Sequence, residues 1–281
     1  VRVQQLTAAP DFRSFEISDP TYERDDLRHV TVRSAALGGR GDVTFFVPGA
    51  LRADAPVPLA VLLHGAYGSH WAWALQGGAH HTARRMMAAG TLPPMVLAMP
   101  SDGLAADSTA YIAHGDVDYA SWIVRDIKAI AMRVHPAITP ASPLCITGLS
   151  MGGFGALHLG LRYPEHFAAV SAHSAVTDVA RRFGQGLSPS RAEIHRLRAD
   201  ASLSVLHWAK RHRDELPPFR FDCGSDDALC RENRDLASAL TAEGIAHTYD
   251  EFAGGHDWAY WQTHLEDSLR FFAQVLRGVG R

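Results

Sequence analysis

The residues with the clearest chemical potential lie in Gly148-Leu149-Ser150-Met151-Gly152-Gly153, a serine framed by glycines. The apolar run Leu144-Cys145-Ile146-Thr147 precedes it, and Phe154, Leu157 and Leu161 follow at helical spacing. At such a strand-to-helix turn the serine side chain is pushed out of the sheet, and glycines on either side relieve the crowding. The first turn of the helix offers free N–H groups to developing negative charge. A Gly-x-Ser-x-Gly pentad alone says little, because small residues are common in turns. The strand before it and the helix after it make Ser150 a candidate nucleophile for acyl transfer.

A serine hydroxyl needs an adjacent base at neutral pH, and in this arrangement an acid and then a histidine follow the serine in the chain. Among 16 histidines, His256 in Gly254-Gly255-His256-Asp257 fits that order. It follows a strand-like segment, His247 to Phe252, and precedes a long amphipathic helix. Its rivals His247 and His264 fall at a strand start and inside that helix. The acid is expected in Gly224-Ser225-Asp226-Asp227, just past a strand ending at Cys223. A carboxylate there can hold the imidazole in its working tautomer. Asp227 is favoured, Asp226 is the alternative, and Asp257 is read as structural.

Acyl transfer also needs donors for a tetrahedral oxyanion. The Met151 N–H is one candidate. The Ala66 N–H, in Leu62-Leu63-His64-Gly65-Ala66-Tyr67-Gly68, is the other. His64 precedes the serine and is expected to brace that loop. Tyr67, Trp71 and Trp73 are candidates for lining an acyl or alcohol pocket, with plain core packing as the rival reading. Adjacent His80 and His81 seldom ligate one ion, and no clear third or fourth ligand accompanies them, so no metal site is expected. Neither a dinucleotide fingerprint nor a phosphate loop is present.

The elements that must position these groups follow from periodicity. Leu59–Leu63, Met95–Met99, Leu144–Thr147, Ala168–Ala172 and Phe219–Cys223 read as strands, the first three as continuous apolar runs of the kind covered on both faces. Ile123, Ile127, Ile130 and Val134 form one helical stripe, and Trp258, Trp261, Leu265, Leu269, Phe272 and Leu276 another. His29 to Leu37 and Val43 to Val47, joined by a glycine-rich turn, read as an antiparallel hairpin. This alternation predicts a mostly parallel α/β sheet with helices on both faces, in a single domain over residues 1–281. Residues 1–28 read as an irregular arm, and 176–218 as a lid or insertion.

Composition narrows the class. A chain of 281 residues, 47% hydrophobic and 20% charged with a formal net charge of -3, can bury a large core and lacks a nucleic-acid or polybasic membrane surface. Cys145, Cys223 and Cys230 cannot all pair, and three reduced core thiols are expected. The stretch from His135 to Leu161 carries no Asp, Glu, Lys or Arg, but prolines and glycines break it, so no membrane span is expected. Val1 to Pro10 lacks the apolar core of a signal peptide, which points to a cytoplasmic protein, while a start at Val1 leaves export open. The expected partner is a small-molecule ester, with neither nucleic acid nor membrane, and nothing bars a homo-oligomer.

Taken together, His64-Gly65-Ala66-Tyr67-Gly68, Gly148 to Gly153, Cys223 to Asp227 and Gly254 to Trp261 resemble the esterase D-like group of α/β-hydrolases over about Val57 to Arg277. That group includes S-formylglutathione hydrolases, feruloyl and acetyl-xylan esterases and the mycolyltransferase antigens. The resemblance implies an α/β-hydrolase fold, Asp227 as the acid, oxyanion donors at Ala66 and Met151, and no cofactor. It implies a serine carboxylesterase, with an acyltransferase or a thioesterase of the S-formylglutathione hydrolase type as alternatives. The oxyanion loop lacks the cysteine usual in formylglutathione hydrolases, which lowers the thioester reading.

Overall fold

The computed structural model describes residues 12–49, 51–52, 55–103, 108–177, 179 and 200–279. Its centre is the set of apolar runs. Leu59–Leu63 (β4), Val96–Pro100 (β5), Leu144–Gly148 (β8), Ala169–His173 (β9) and Phe219–Gly224 (β10) are buried at every residue. They join Phe15–Ile17 (β1), Leu27–Ser34 (β2), Gly39–Phe46 (β3) and Thr248–Phe252 (β11) in a nine-stranded sheet ordered β1-β2-β3-β5-β4-β8-β9-β10-β11. The pairs from β5 through β11 are parallel, and those among β1, β2, β3 and β5 are antiparallel. A separate two-stranded ribbon pairs Ala113–His114 (β6) with Val117–Asp118 (β7).

Because successive strand residues face opposite sides, each run feeds two cores. In β4, Leu59, Val61 and Leu63 pack with Ile127, Ile130, Phe154 and Leu157 on one face. Ala60 and Leu62 pack with Ala79, Met86, Leu265, Leu269 and Phe272 on the other. The first core holds helices Tyr119–Ser121 (α3), Ile127–Val134 (α4), Met151–Arg162 (α5), Val205–Arg211 (α6) and Cys230–Ala242 (α7). The second holds Ala72–Leu75 (α1), Ala79–Ala88 (α2) and Trp258–Val279 (α8). The mostly parallel sheet with helices on both faces is thus observed. Among the described residues no helix is long and apolar enough to cross a membrane.

Three expectations change in detail. The arm is ordered in part: β1 pairs antiparallel with β2, which itself begins at Leu27, while residues 1–11 lie outside the described residues. Between α3 and α4 the chain makes a π-helical turn, Trp122–Asp126, in place of regular α-helix. That turn is held at both ends, by the Trp122 indole donating to Ser101 O (2.8 Å) and by Ser34 Oγ donating to the buried Asp126 carboxylate (2.6 Å). Of the lid segment, 178 and 180–199 lie outside the described residues. The part from residue 200 onward buries Val205 and Ala209 in the core beside α5. Cys145, Cys223 and Cys230 are all buried and free.

Candidate active site

Parallel pairing brings the carboxyl ends of β4, β8, β9, β10 and β11 to one edge of the sheet. The order reverses at β4, whose neighbours are β5 on one side and β8 on the other; a crevice forms at such a switch point. Ser150 leaves β8 there with φ 55° and ψ -116°. A non-glycine residue at positive φ is strained, and such strain persists only where surrounding structure imposes it. The Ser150 N–H donates to His173 O (3.0 Å), and its carbonyl accepts the N–H groups of Phe154 and Val176 (both 3.1 Å). The bend also needs glycine on each side. A Cβ on Gly148 would sit 2.2 Å from Gly152 O, and one on Gly152 would sit 2.3 Å from Leu63 O.

The next two groups come from adjacent strands. Register pairs Gly224 of β10 with Phe252 of β11, so Asp227 and His256 leave neighbouring strand ends a few residues later. The Ser225 and Asp226 N–H groups donate to Phe252 O (2.8 Å) and Gly254 O (2.9 Å), which ties the two loops together. His256 Nδ1 lies 2.8 Å from Asp227 Oδ2, and His256 Nε2 lies 3.0 Å from Ser150 Oγ. With Nδ1–H donating to the carboxylate, Nε2 is left to accept the serine proton. Burial pushes the Asp227 carboxyl up, but hydrogen bonding from His256 and the Leu229 N–H, with the Ser174 hydroxyl, outweighs it and holds the group below the usual carboxylate range. Asp226 is exposed and contributes its backbone to the loop contact. Asp257 accepts the Tyr260 N–H (3.0 Å), a capping bond at the start of α8.

The loop after β4 runs alongside the serine: a Cβ on Gly65 would lie 3.2 Å from Ser150 Cβ. Met151 opens α5, so its N–H is among those with no intrahelical acceptor. His64 Nδ1 lies 2.8 Å from Gly65 O, and its Nε2 accepts the Asp102 N–H (3.2 Å). Burial lowers its pKa against the pull of Asp102, so it stays neutral, with one nitrogen donating and the other accepting. Sequence reasoning missed Tyr111, whose hydroxyl donates to His64 O (2.8 Å) from a fully buried ring; a lone tyrosine in a loop gives no signal.

The three aromatics part company. Tyr67 is 77% exposed and Trp71 40%, whereas Trp73 is buried, donates its indole N–H to Leu63 O (2.9 Å) and meets Trp258 edge-on. Trp73 is therefore a core residue, not a pocket lining: its amphipathic ring finds an acceptor inside the fold. The rings of His80 and His81 lie 3.8 Å apart, and burial drives the His80 pKa down to about 4. His264 pairs with Asp267 (2.8 Å) and His247 with Ile245 O (2.8 Å), so neither rival base bonds to Ser150.

Beneath the site runs a second buried polar chain that the sequence did not reveal. Ser268 Oγ lies 2.8 Å from His173 Nε2, and His173 Nδ1 lies 3.0 Å from both oxygens of Asp222. The Arg220 guanidinium (2.9 Å) and Tyr260 hydroxyl (2.9 Å) also donate to Asp222. Burial raises the Asp222 carboxyl, but the His173 and Arg220 charges and these hydrogen bonds hold it below its ordinary value.

With this geometry in view, relatives can be compared. Residues 34–272 match the family described as "Putative esterase". The chain belongs to that esterase family. It is 26% identical over 230 residues to an acetyl esterase of Caldicellulosiruptor saccharolyticus, covering 76% of this chain and 82% of that protein. It is 24% identical over 283 residues to an iron(III) enterobactin esterase of Dickeya dadantii (strain 3937), covering 95% of this chain but 60% of that protein. A solved ferulic acid esterase superposes with a TM-score of 0.76 at 24% identity, over 89% of this chain and 98% of that one. The esterase is thus an α/β-hydrolase in fold and a carboxylic ester hydrolase by family.

Proposed function

We propose that this esterase is a serine carboxylesterase working through an acyl-Ser150 intermediate. The observation that carries the reading is the unbroken hydrogen-bond chain from Ser150 Oγ through His256 to Asp227. In it, Ser150 Oγ attacks the ester carbonyl carbon while His256 Nε2 takes the hydroxyl proton. Asp227 orients the ring and stabilises the imidazolium. The Ala66 and Met151 N–H groups receive the oxyanion, a contribution of about 10²–10³ in kcat per donor in comparable sites. Collapse breaks the C–O bond to the alcohol, which leaves with the proton from His256. Water then repeats the sequence on the acyl-serine and releases the acid.

The test is hydrolysis of p-nitrophenyl acetate by the parent and by Ser150→Ala, with an intact-mass search for the acyl adduct. The parent is expected to turn over and to carry the adduct on Ser150. Equal rates in the two proteins would sink the proposal. A panel of esters graded in acyl length, with aryl and cinnamoyl members, then ranks substrates by kcat/KM.

A further inference from the structure

Three successive carbonyls at the end of β4 each accept a hydrogen bond from a buried side chain. The Trp73 indole N–H donates to Leu63 O (2.9 Å), the Tyr111 hydroxyl to His64 O (2.8 Å) and His64 Nδ1 to Gly65 O (2.8 Å). A carbonyl can only accept, so Nδ1 carries the ring proton. The Asp102 N–H can only donate, so Nε2, 3.2 Å away, is the acceptor. Two backbone groups thus fix the tautomer of a ring that is 3% exposed. Asp102 is itself anchored, because Thr109 donates its N–H to the Asp102 carboxylate and its hydroxyl to Asp102 O (both 3.0 Å). Tyr111 follows on the same stretch, over backbone at positive φ in Ala110 (53°) and Tyr111 (58°). The Gly65 carbonyl shares one planar trans peptide with the Ala66 N–H, so the two point in opposite directions and turn together. The Gly68 N–H also reaches Gly65 O (3.1 Å), but that bond closes the loop on itself. The imidazole is what links this peptide to the loop after β5. Gly68 leaves room for it: a Cβ there would sit 2.7 Å from His64 Nδ1 and 3.0 Å from Gly65 O.

We propose that His64 is a positioning residue that aims the Ala66 N–H at the oxyanion by holding the Gly65 carbonyl at the other end of the same peptide. The inference rests on the reading of Ser150 as nucleophile and Ala66 as oxyanion donor. A donor already in place when charge develops costs no reorganisation at that moment. Released from the imidazole, the peptide rocks about its long axis and the N–H swings off the oxyanion. The ground-state ester, whose carbonyl oxygen carries less charge, loses little. The effect therefore falls on kcat and on the binding of anything that mimics the tetrahedral state. Trp73 and Tyr111 hold the two preceding peptides in the same way, so the restraint runs unbroken from Leu63 to Ala66.

The probe is an aryl trifluoromethyl ketone. Ser150 Oγ adds to its carbonyl carbon, the hydroxyl proton passes to His256 Nε2, and the carbonyl oxygen becomes the bound oxyanion. His64→Gln keeps an acceptor for the Asp102 N–H but loses the donor at Nδ1, whereas His64→Asn sets an amide N–H where Nδ1 stands. In His64→Gln, kcat on p-nitrophenyl acetate is expected to fall about 10–100-fold. KM stays near the parental value, and the Ki of the ketone rises by a similar factor. His64→Asn recovers most of both losses. A role in folding alone predicts lower melting temperatures in both variants, with kcat per folded molecule and Ki unchanged. Gly68→Ala attacks the same hydrogen bond from the other side and raises Ki in the same direction. Parental kcat and Ki in His64→Gln overturn the inference, as do equal losses in His64→Gln and His64→Asn. Should His64→Gln fail to fold, a parental Ki in Gly68→Ala overturns it. Ser150→Ala runs beside them. Activity surviving there undoes the nucleophile reading itself, whereas its loss beside a parental His64→Gln removes only the role given to His64.

Discussion

Among the described residues, two Ser–His–Asp chains have nearly the same dimensions. In Ser150–His256–Asp227 the links are 3.0 and 2.8 Å; in Ser268–His173–Asp222 they are 2.8 and 3.0 Å. Their surroundings differ. The His256 side chain is 36% exposed, whereas His173 and Asp222 have no exposed side-chain surface. Ser150 sits on a bend beside free N–H groups, whereas Ser268 lies within α8 against Ser171 Oγ (2.6 Å). The second chain cannot admit a substrate or house an oxyanion. Hydrogen-bond geometry alone therefore does not make a catalytic site; access and donors aimed at developing charge do. The buried chain instead ties β9, β10 and α8 together beneath the loops that present the reactive groups.

This contrast can be broken first at the serines. Ser150→Ala is expected to lower kcat on p-nitrophenyl acetate by ~10⁴-fold or more. Ser268→Ala is expected to keep parental kcat and to lose about 1–3 kcal/mol of stability by denaturant titration, because His173 loses a buried partner. A comparable loss of kcat in Ser268→Ala would erase the distinction. At the acids, Asp227→Asn should cost ~10³–10⁴-fold in kcat by releasing the imidazole tautomer, while Asp226→Asn stays at the parental rate. The reverse pattern would move the acid by one residue.

Asp222→Asn probes the buried chain directly. Removing its charge leaves the buried His173 without its anion and Arg220 with Asp250 alone, and a cost of about 3–5 kcal/mol at pH 7 is expected. The sign with pH follows from the depressed Asp222 pKa. Its stabilisation is complete above the unfolded carboxylate value and is lost as pH falls through the folded one. The difference between parent and Asp222→Asn should therefore shrink toward low pH; a constant difference speaks against the ion pair.

A smaller effect is expected at another buried histidine. His158 has no hydrogen-bond partner on either nitrogen, and burial lowers its pKa to about 3. Below pH 6.5 the unfolded chain takes up a proton that folded His158 refuses until about pH 3, so the parent loses stability as pH falls through that window. His158→Leu is expected to add about 1 kcal/mol at pH 7 and a larger margin at pH 5. Thermal melts at the two pH values check this, and an equal margin at both would sink it.

How far the site was legible depended on where each signal resided. Ser150 and His256 stand in short glycine-framed segments next to strongly periodic elements, and the chain order serine, acid, histidine linked them. Asp227 over Asp226 was a preference that loop geometry bears on directly: one carboxylate faces His256 and the other faces solvent. Trp73 stayed open between pocket and core in the sequence, because an aromatic beside the loop after β4 looks the same whether it turns outward or inward. Tyr111 and the Ser268–His173–Asp222 chain left no trace, since their partners are 47 to 95 residues away for the bonds that define them.

The amino-acid sequence by itself determined the buried strands, the helices between them, the glycines of the Ser150 bend and the identities of the candidate catalytic groups. Those properties are written in local periodicity and in backbone conformations that only certain residues tolerate. The tertiary structure alone decided which polar residues meet. Parallel pairing of β8, β9, β10 and β11 places His173 beneath Ser150 and Asp227 beside His256, with Trp261 of α8 against the same ring. Contacts of that kind arise from the register of distant strands, to which no short stretch of sequence refers.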